Sequence, residues 1–167
     1  MENERSLCCG FTGHREIRKA HEGRIYDLVM RGVEYAYSEG CRTFLTGGAV
    51  GFDTVAAKAV VMFRMSHPDV RLELVLPCKN QADAWSDSDR SVYEYLASSA
   101  DSVEYVSDDY YDGCMRERNR RLVERSDMLI AYASRARSGS AQTLRFAKEQ
   151  NKRTYNIYPK LDEKTEK

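Results

Sequence analysis

Three short stretches of this chain combine glycine with hydroxyl, cationic or carboxylate side chains in a way that suits anion binding. The first is Thr12-Gly13-His14-Arg15. Glycine lets backbone approach a ligand closely, Thr12 offers a hydroxyl, and Arg15 can fork onto a phosphate or carboxylate. The second is Thr46-Gly47-Gly48-Ala49-Val50-Gly51-Phe52-Asp53. Its small residues end one apolar segment and open another, so free amides and a helix dipole would converge where an anion sits. Asp53 reads either as a helix cap or as an acceptor for a ligand hydroxyl. The third is Ser138-Gly139-Ser140-Ala141-Gln142-Thr143, in which Gly139, Ser140 and Thr143 put hydroxyls and a bare amide at a helix start. Each stretch also has a plainer reading as a turn or a capped helix and nothing more. The second stretch matches neither the dinucleotide fingerprint nor the Gly-Lys-Ser/Thr phosphate loop.

The elements around these stretches follow from apolar periodicity. Leu7–Phe11, Thr43–Thr46, Leu72–Leu76, Ser102–Ser107, Met128–Tyr132 and Thr154–Tyr158 read as strands. Helical spacing joins Ile25 to Tyr37, with Gly40 as the stop, and Phe52 to Phe63, ending before Pro68. Further helices are expected through Val92–Leu96, Met115–Val123 and Leu144–Ala147, while Asn80–Ser91 reads as a polar loop. Strands alternating with helices mean βαβ units: an α/β fold with a mainly parallel sheet flanked by helices in three layers. Right-handed crossovers then bring the strand-to-helix loops to one edge, where such folds bind ligands. Residues 1–159 read as one domain and 160–167 as a frayed charged tail.

Composition narrows the function classes. The 167 residues carry 26 Lys+Arg against 26 Asp+Glu. That balance argues against a protein holding nucleic acid by bulk charge. No apolar run approaches the roughly 20 residues of a spanning helix, so no membrane partner is expected, and Met1-Glu2-Asn3-Glu4-Arg5 does not open a signal peptide. Cys8, Cys9, Cys41, Cys78 and Cys114 form no Cys-x-x-Cys pair, and His14, His21 and His67 are scattered. We therefore expect reduced thiols, no metal site, no tightly held cofactor and a cytoplasmic setting. The arginines at 116, 118, 120, 121 and 125 interleave with Glu117 and Glu124, which reads as a salt-bridged helix face. Trp85 would either stack on a base, a contact worth roughly 1–3 kcal/mol, or seal the sheet edge.

Thr12-Gly13-His14-Arg15, the loop from Thr46 to Asp53, and Arg118-Asn119 ahead of Ser126-Asp127-x-Leu129-Ile130-Ala131-Tyr132 resemble the YpsA-type family, a bacterial branch of the SLOG superfamily of Rossmann-like proteins. Gln81 with Trp85, and Tyr110-Tyr111, follow the same pattern. The likeness runs over roughly residues 6–158. It implies a nucleotide or nucleotide-derived ligand at the carboxyl edge of the sheet, with Arg118 and Asn119 near it. Relatives include Lonely Guy phosphoribohydrolases, the DNA-processing protein DprA and sensors of NAD-derived signals, and homo-oligomers are common among them. Lonely Guy enzymes read Pro-Gly-Gly-x-Gly-Thr-x-x-Glu, whereas Ser138–Arg145 has no carboxylate, and Gly139-Ser140-Ala141 stands where the family reads Gly-Gly-Thr.

These observations lead to a nucleotide-binding sensor or signalling protein. In it, amides of Gly47, Gly48 and Gly51 with Ser140 and Thr143 would take phosphate, Arg15 would add charge, Asp53 would meet a ribose, and Trp85 or Asn119 a base. The alternatives are a nucleotide hydrolase or transferase using Asp53 or His14 as general acid/base, and a DprA-like DNA binder.

Overall fold

The computed structural model describes residues 6–163. Met1-Glu2-Asn3-Glu4-Arg5 and the end of the expected tail, 164–167, lie outside the described residues. Six strands, β1 (Leu7–Gly13), β2 (Cys41–Thr46), β3 (Arg71–Cys78), β4 (Ser102–Ser107), β5 (Met128–Tyr132) and β6 (Arg153–Asn156), form one sheet in the order β4-β3-β2-β1-β5-β6. Every pairing is parallel. The chain builds outward from β1 to β4 and then returns to β5 on the other side of β1. The order of the sheet therefore switches between β1 and β5.

Side-chain alternation along the strands assigns the faces. Phe11, Phe44, Leu72, Met128 and Ile130 point into a core with α1 (Ile25–Ser38), α2 (Phe52–Ser66) and α3 (Asp87–Ser99). Leu45 and Leu129 point the other way, against α4 (Cys114–Arg125) and α5 (Gly139–Glu149) through Leu122, Val123 and Ala147. The outward run of the chain uses one face and the return uses the other, as right-handed crossovers require. β5 has no exposed residue, which explains its unbroken apolar sequence Met-Leu-Ile-Ala-Tyr. Cys9, Cys41, Cys78 and Cys114 are buried.

Three boundaries differ from the sequence reading. Asn80–Ser91 is not loop throughout, because α3 begins at Asp87, where the Ser86 hydroxyl accepts from the Asp89 amide at 3.1 Å. The last strand stops at Asn156. Lys160 does not open a frayed tail but lies inside a short helix, α6 (Tyr158–Asp162), which buries Leu161. A 3-10 turn, Lys19–His21, holds that helix: the fully buried His21 joins the Tyr132 hydroxyl (2.7 Å, Nδ1) to Asp162 Oδ1 (2.6 Å, Nε2), and Arg24 donates to the Leu161 carbonyl.

Among the described residues three buried side-chain atoms, Thr46 Oγ1, Gln81 Oε1 and Glu104 Oε2, have no hydrogen-bond partner. The Thr46 hydroxyl, at the end of β2, is fully buried and has no hydrogen-bond partner. Leaving such a group unmade costs about 1–3 kcal/mol. Thr46→Val keeps the shape and removes the hydroxyl, so it should raise stability by about 1 kcal/mol in urea unfolding. A clear loss would mean that the hydroxyl is satisfied in solution.

Candidate functional site

At the switch between β1 and β5 a cavity of about 340 Å³ opens on the carboxyl edge. The end of β1 and the turn after it supply Thr12, Gly13, His14 and Arg15, the loop after β2 supplies Gly47, and the first turn of α2 supplies Asp53. From α4 come Arg118 and Asn119, and from the start of α5 come Gly139 and Ser140. The expected residues Gly48, Gly51, Trp85 and Thr143 do not line it. Gly48 lies against Leu76 and Gln81, and Gly51 against the Arg15 backbone. Trp85 packs edge-on to Tyr93 with ring centres 5.3 Å apart. The Thr143 hydroxyl donates back to the Gly139 carbonyl at 2.8 Å within α5.

The glycine loop turns its anion-binding groups inward. Asp53 is buried, and its Oδ2 accepts from the Ala49 amide at 3.2 Å and draws on the Gly47 amide as well. The loop thus supplies its own anion from the first turn of α2. The Gly47 carbonyl faces the other way and accepts from Arg118 Nη1. Gly47 is hemmed by both groups: a Cβ there would lie 2.5 Å from Arg118 Nη1 and 2.9 Å from Asp53 Oδ2.

Arg118 is itself buried. Its Nε donates to Asn119 Oδ1 at 2.7 Å, and its Nη2 meets Met115 Sδ at 3.7 Å. Burial lowers its pKa, and the Asp53 carboxylate opposes that. Arg15 is exposed and reaches Met115 Sδ at 3.9 Å. The sulfur therefore braces both guanidinium groups. Sequence reasoning missed Met115; its position one helical turn before Arg118 is the signal that could have found it.

His14 is fixed at several points. Its backbone amide donates to Tyr132 O at 3.1 Å, its carbonyl accepts from the Phe52 amide at 3.1 Å, and its Nε2 accepts from the Ser134 amide at 2.7 Å. An acceptor Nε2 means that the ring is neutral and carries its proton on Nδ1. Burial lowers its pKa, in keeping with that state.

The start of α5 presents open donors. Ser138 caps the helix by accepting from the Ala141 amide at 3.0 Å. The amides of Gly139 and Ser140, in the first turn, have no intrahelical acceptor. They stand at the cavity wall beside the two guanidinium groups.

Burial raises the Asp53 carboxyl to about 6, against the pull of Arg118 and the loop amides. An unfolded chain releases that proton near pH 4. Between about pH 4 and 6 the folded state therefore holds a proton that the unfolded state has lost, and stability falls as pH rises through that window. Asp53→Asn removes this dependence. Relative to the parent, the variant should gain about 3 kcal/mol between pH 4 and pH 7 in urea unfolding, whatever the constant offset between the two. A difference that does not change with pH would contradict the buried, proton-exchanging carboxyl.

Residues 18–161 match the sequence profile described as the YspA SLOG family. The chain belongs to that family. Among relatives of this YspA SLOG protein, a UPF0398 protein of Halalkalibacterium halodurans is 30% identical over 126 residues, 74% of this chain and 62% of that protein. UPF0398 proteins of Bacillus cereus are 26% identical over the same length, covering 64% of theirs. The chain therefore spans less than two thirds of the length of these relatives. Its fold is shared with DNA processing protein A of Streptococcus pneumoniae (TM-score 0.63, 17% identity, 89% of this chain and 49% of that one). It is shared equally with DNA processing protein A of Helicobacter pylori (0.62, 20%, 89% and 63%), whose structure describes single-stranded DNA binding. The YspA SLOG fold also matches the structural-genomics target TM1055 (0.57, 11%, 89% and 72%). Among the described residues no helix is long and apolar enough to cross a membrane, and no cluster of His, Cys, Asp or Glu could hold a metal ion.

Proposed function

We propose that the cavity at the β1/β5 switch binds the phosphate of a nucleotide or nucleotide-derived metabolite, and that the protein acts as a sensor or signalling component. The observation that carries this reading is the convergence of two guanidinium groups with the open amides of Gly139 and Ser140 on one cavity. Phosphate belongs at the start of α5 rather than on the Gly47–Gly51 loop, whose Gly47 and Ala49 amides already serve Asp53. Arg15 and Arg118 supply charge, and the Thr12 and Ser140 hydroxyls complete the acceptor and donor set. A volume of about 340 Å³ suits one mononucleotide unit.

Binding without turnover is favoured by the engagement of His14. Its only lone pair on the ring is taken by the Ser134 amide, so it cannot serve as a general base without losing that bond. A hydrolase or transferase is the second reading, and Asp53 supports it: a carboxyl raised to about 6 exchanges its proton near neutral pH.

A thermal-shift panel of mononucleotides, cyclic nucleotides, NAD and ADP-ribose at millimolar concentration tests the proposal. At least one should raise Tm, and the rise should disappear in Arg15→Gln. No shift from any member would count decisively against a nucleotide site. Product analysis on the strongest hit separates binding from turnover, and a salt-dependent gel shift tests single-stranded DNA.

A further inference from the structure

Across the first turn of α5 from the switch-point cavity lies a second, wider cleft of about 820 Å³. Ala141 and Leu144 of α5 and Pro159 of α6 give it an apolar floor. Around that floor stand three cations: Arg135 from the loop after β5, and Arg145 and Lys148 from one face of α5. None of these three side chains has an ion pair or hydrogen bond within the described residues.

Exposed Lys19, Arg31, Lys58, Arg116 and Arg137 likewise have no ion pair or hydrogen bond among the described residues. What sets this cleft apart is that three such cations line one concave place, whereas other arginines are paired. Arg64 pairs with Asp101 at 2.8 Å, Arg125 with Glu73 at 2.6 Å, Arg153 with Glu39 at 2.8 Å and Arg42 with Asp69 at 3.1 Å. The one acid lining the cleft, Asp162, gives its Oδ1 to His21 at 2.6 Å and to Arg18 at 3.4 Å. A chain with equal numbers of acids and bases thus leaves a local positive surplus in a concave place. Arg145 and Lys148, three residues apart on a helix, repel each other, and an anion between them would relieve that cost.

We propose that this cleft is a second ligand site, separate from the switch-point cavity, for a small molecule bearing a diphosphate group. Three cations match the roughly three charges of a diphosphate at neutral pH. The two guanidinium groups fork onto phosphate oxygens while Lys148 acts as a point charge. The volume exceeds what a bare diphosphate fills, so the organic part lies on Leu144, Pro159 and the half-buried ring of Tyr158. One wall is held in place beforehand: the Asn156 side chain donates from Nδ2 to Ala133 O at 2.8 Å and accepts on Oδ1 from Ala133 N at 3.1 Å. This site stands on its own observations and does not rest on the nucleotide reading of the first cavity.

The test is an amide chemical-shift titration of the full chain with sodium pyrophosphate at constant ionic strength, with inorganic phosphate and a ten-residue oligo-dT as comparators. Pyrophosphate should give saturable shifts at Arg135, Arg145 and Lys148, with affinity at least tenfold above that of phosphate. The double variant Arg145→Gln/Lys148→Gln, at exposed positions, should keep the parent Tm and lose at least tenfold in affinity at this cluster, while shifts around Gly139 and Gly47 persist. Absence of saturable shifts at the three cations, or shifts that survive the double variant, would overturn the site. Tighter binding of oligo-dT at the same amides would assign the cleft to a nucleic-acid strand instead.

Discussion

Gly51→Ala should destabilise the protein by about 4 kcal/mol, the sum of backbone strain and overpacking at one position. Gly51 has φ +82° and ψ −123°, a conformation that side chains with a Cβ avoid. An added Cβ would sit 2.2 Å from the Arg15 carbonyl oxygen and 2.7 Å from its Cα. Both obstacles are backbone, so no rotamer change relieves them. The close approach is what lets the turn after β1 and the loop after β2 share one cavity wall. Gly139→Ala is the control, since nothing lies within 4 Å of its Cβ position. Urea unfolding should show the first variant largely unfolded or with a much lower midpoint, and the second near the parent. A Gly51→Ala protein within about 1 kcal/mol of the parent, well below the strain expected there, would contradict the described loop packing.

Arg118→Met should cost about 3 kcal/mol at pH 7 and abolish nucleotide stabilisation. The substitution fills much of the volume but strands two buried groups: the Gly47 carbonyl loses its donor, and Asp53 loses the cation that favours its ionised form. Asp53 must then either stay charged at greater cost or hold its proton to higher pH. The loss should accordingly shrink at pH 5, and shrink again when Arg118→Met is made in an Asp53→Asn background, where no charge remains to be stranded. Additive effects across that double-mutant cycle would show that the two groups do not act on each other. Unfolding free energies at the two pH values give the answer directly.

The alternation of strands and helices was legible because parallel strands buried on both faces are continuous apolar runs. Met128–Tyr132, with no exposed residue, is the clearest case. The edge that collects the loops followed from crossover handedness alone. Shorter elements were hidden. The start of α3 depends on the Ser86 hydroxyl, a cap carried by one hydrogen bond inside a polar stretch. α6 is held by the buried His21, whose partners Tyr132 and Asp162 lie 111 and 141 residues away. No local pattern records such a contact.

The candidate site was legible as loops but not as orientations. The sequence places Asp53 at a helix start, and only the fold turns it inward onto the Ala49 amide. That turn moves the open donors from the glycine loop to Gly139 and Ser140. Arg118 sits in an arginine-rich helix whose periodicity reads as a solvated face. Its neighbour Arg121 does pair with Glu117 at 3.5 Å, as such a face would. Arg118 differs because the adjoining Gly47 carbonyl offers a buried acceptor. Trp85 shows the reverse: its loop follows β3 at the same sheet edge, but the indole packs edge-on to Tyr93 and does not line the cavity.

A crystal structure with the nucleotide that gives the largest thermal shift tests the central claim most directly. The phosphate should lie in the switch-point cavity, within hydrogen-bonding distance of the Gly139 and Ser140 amides and facing Arg15 and Arg118. Phosphate density elsewhere, or none at saturating ligand, would contradict the account.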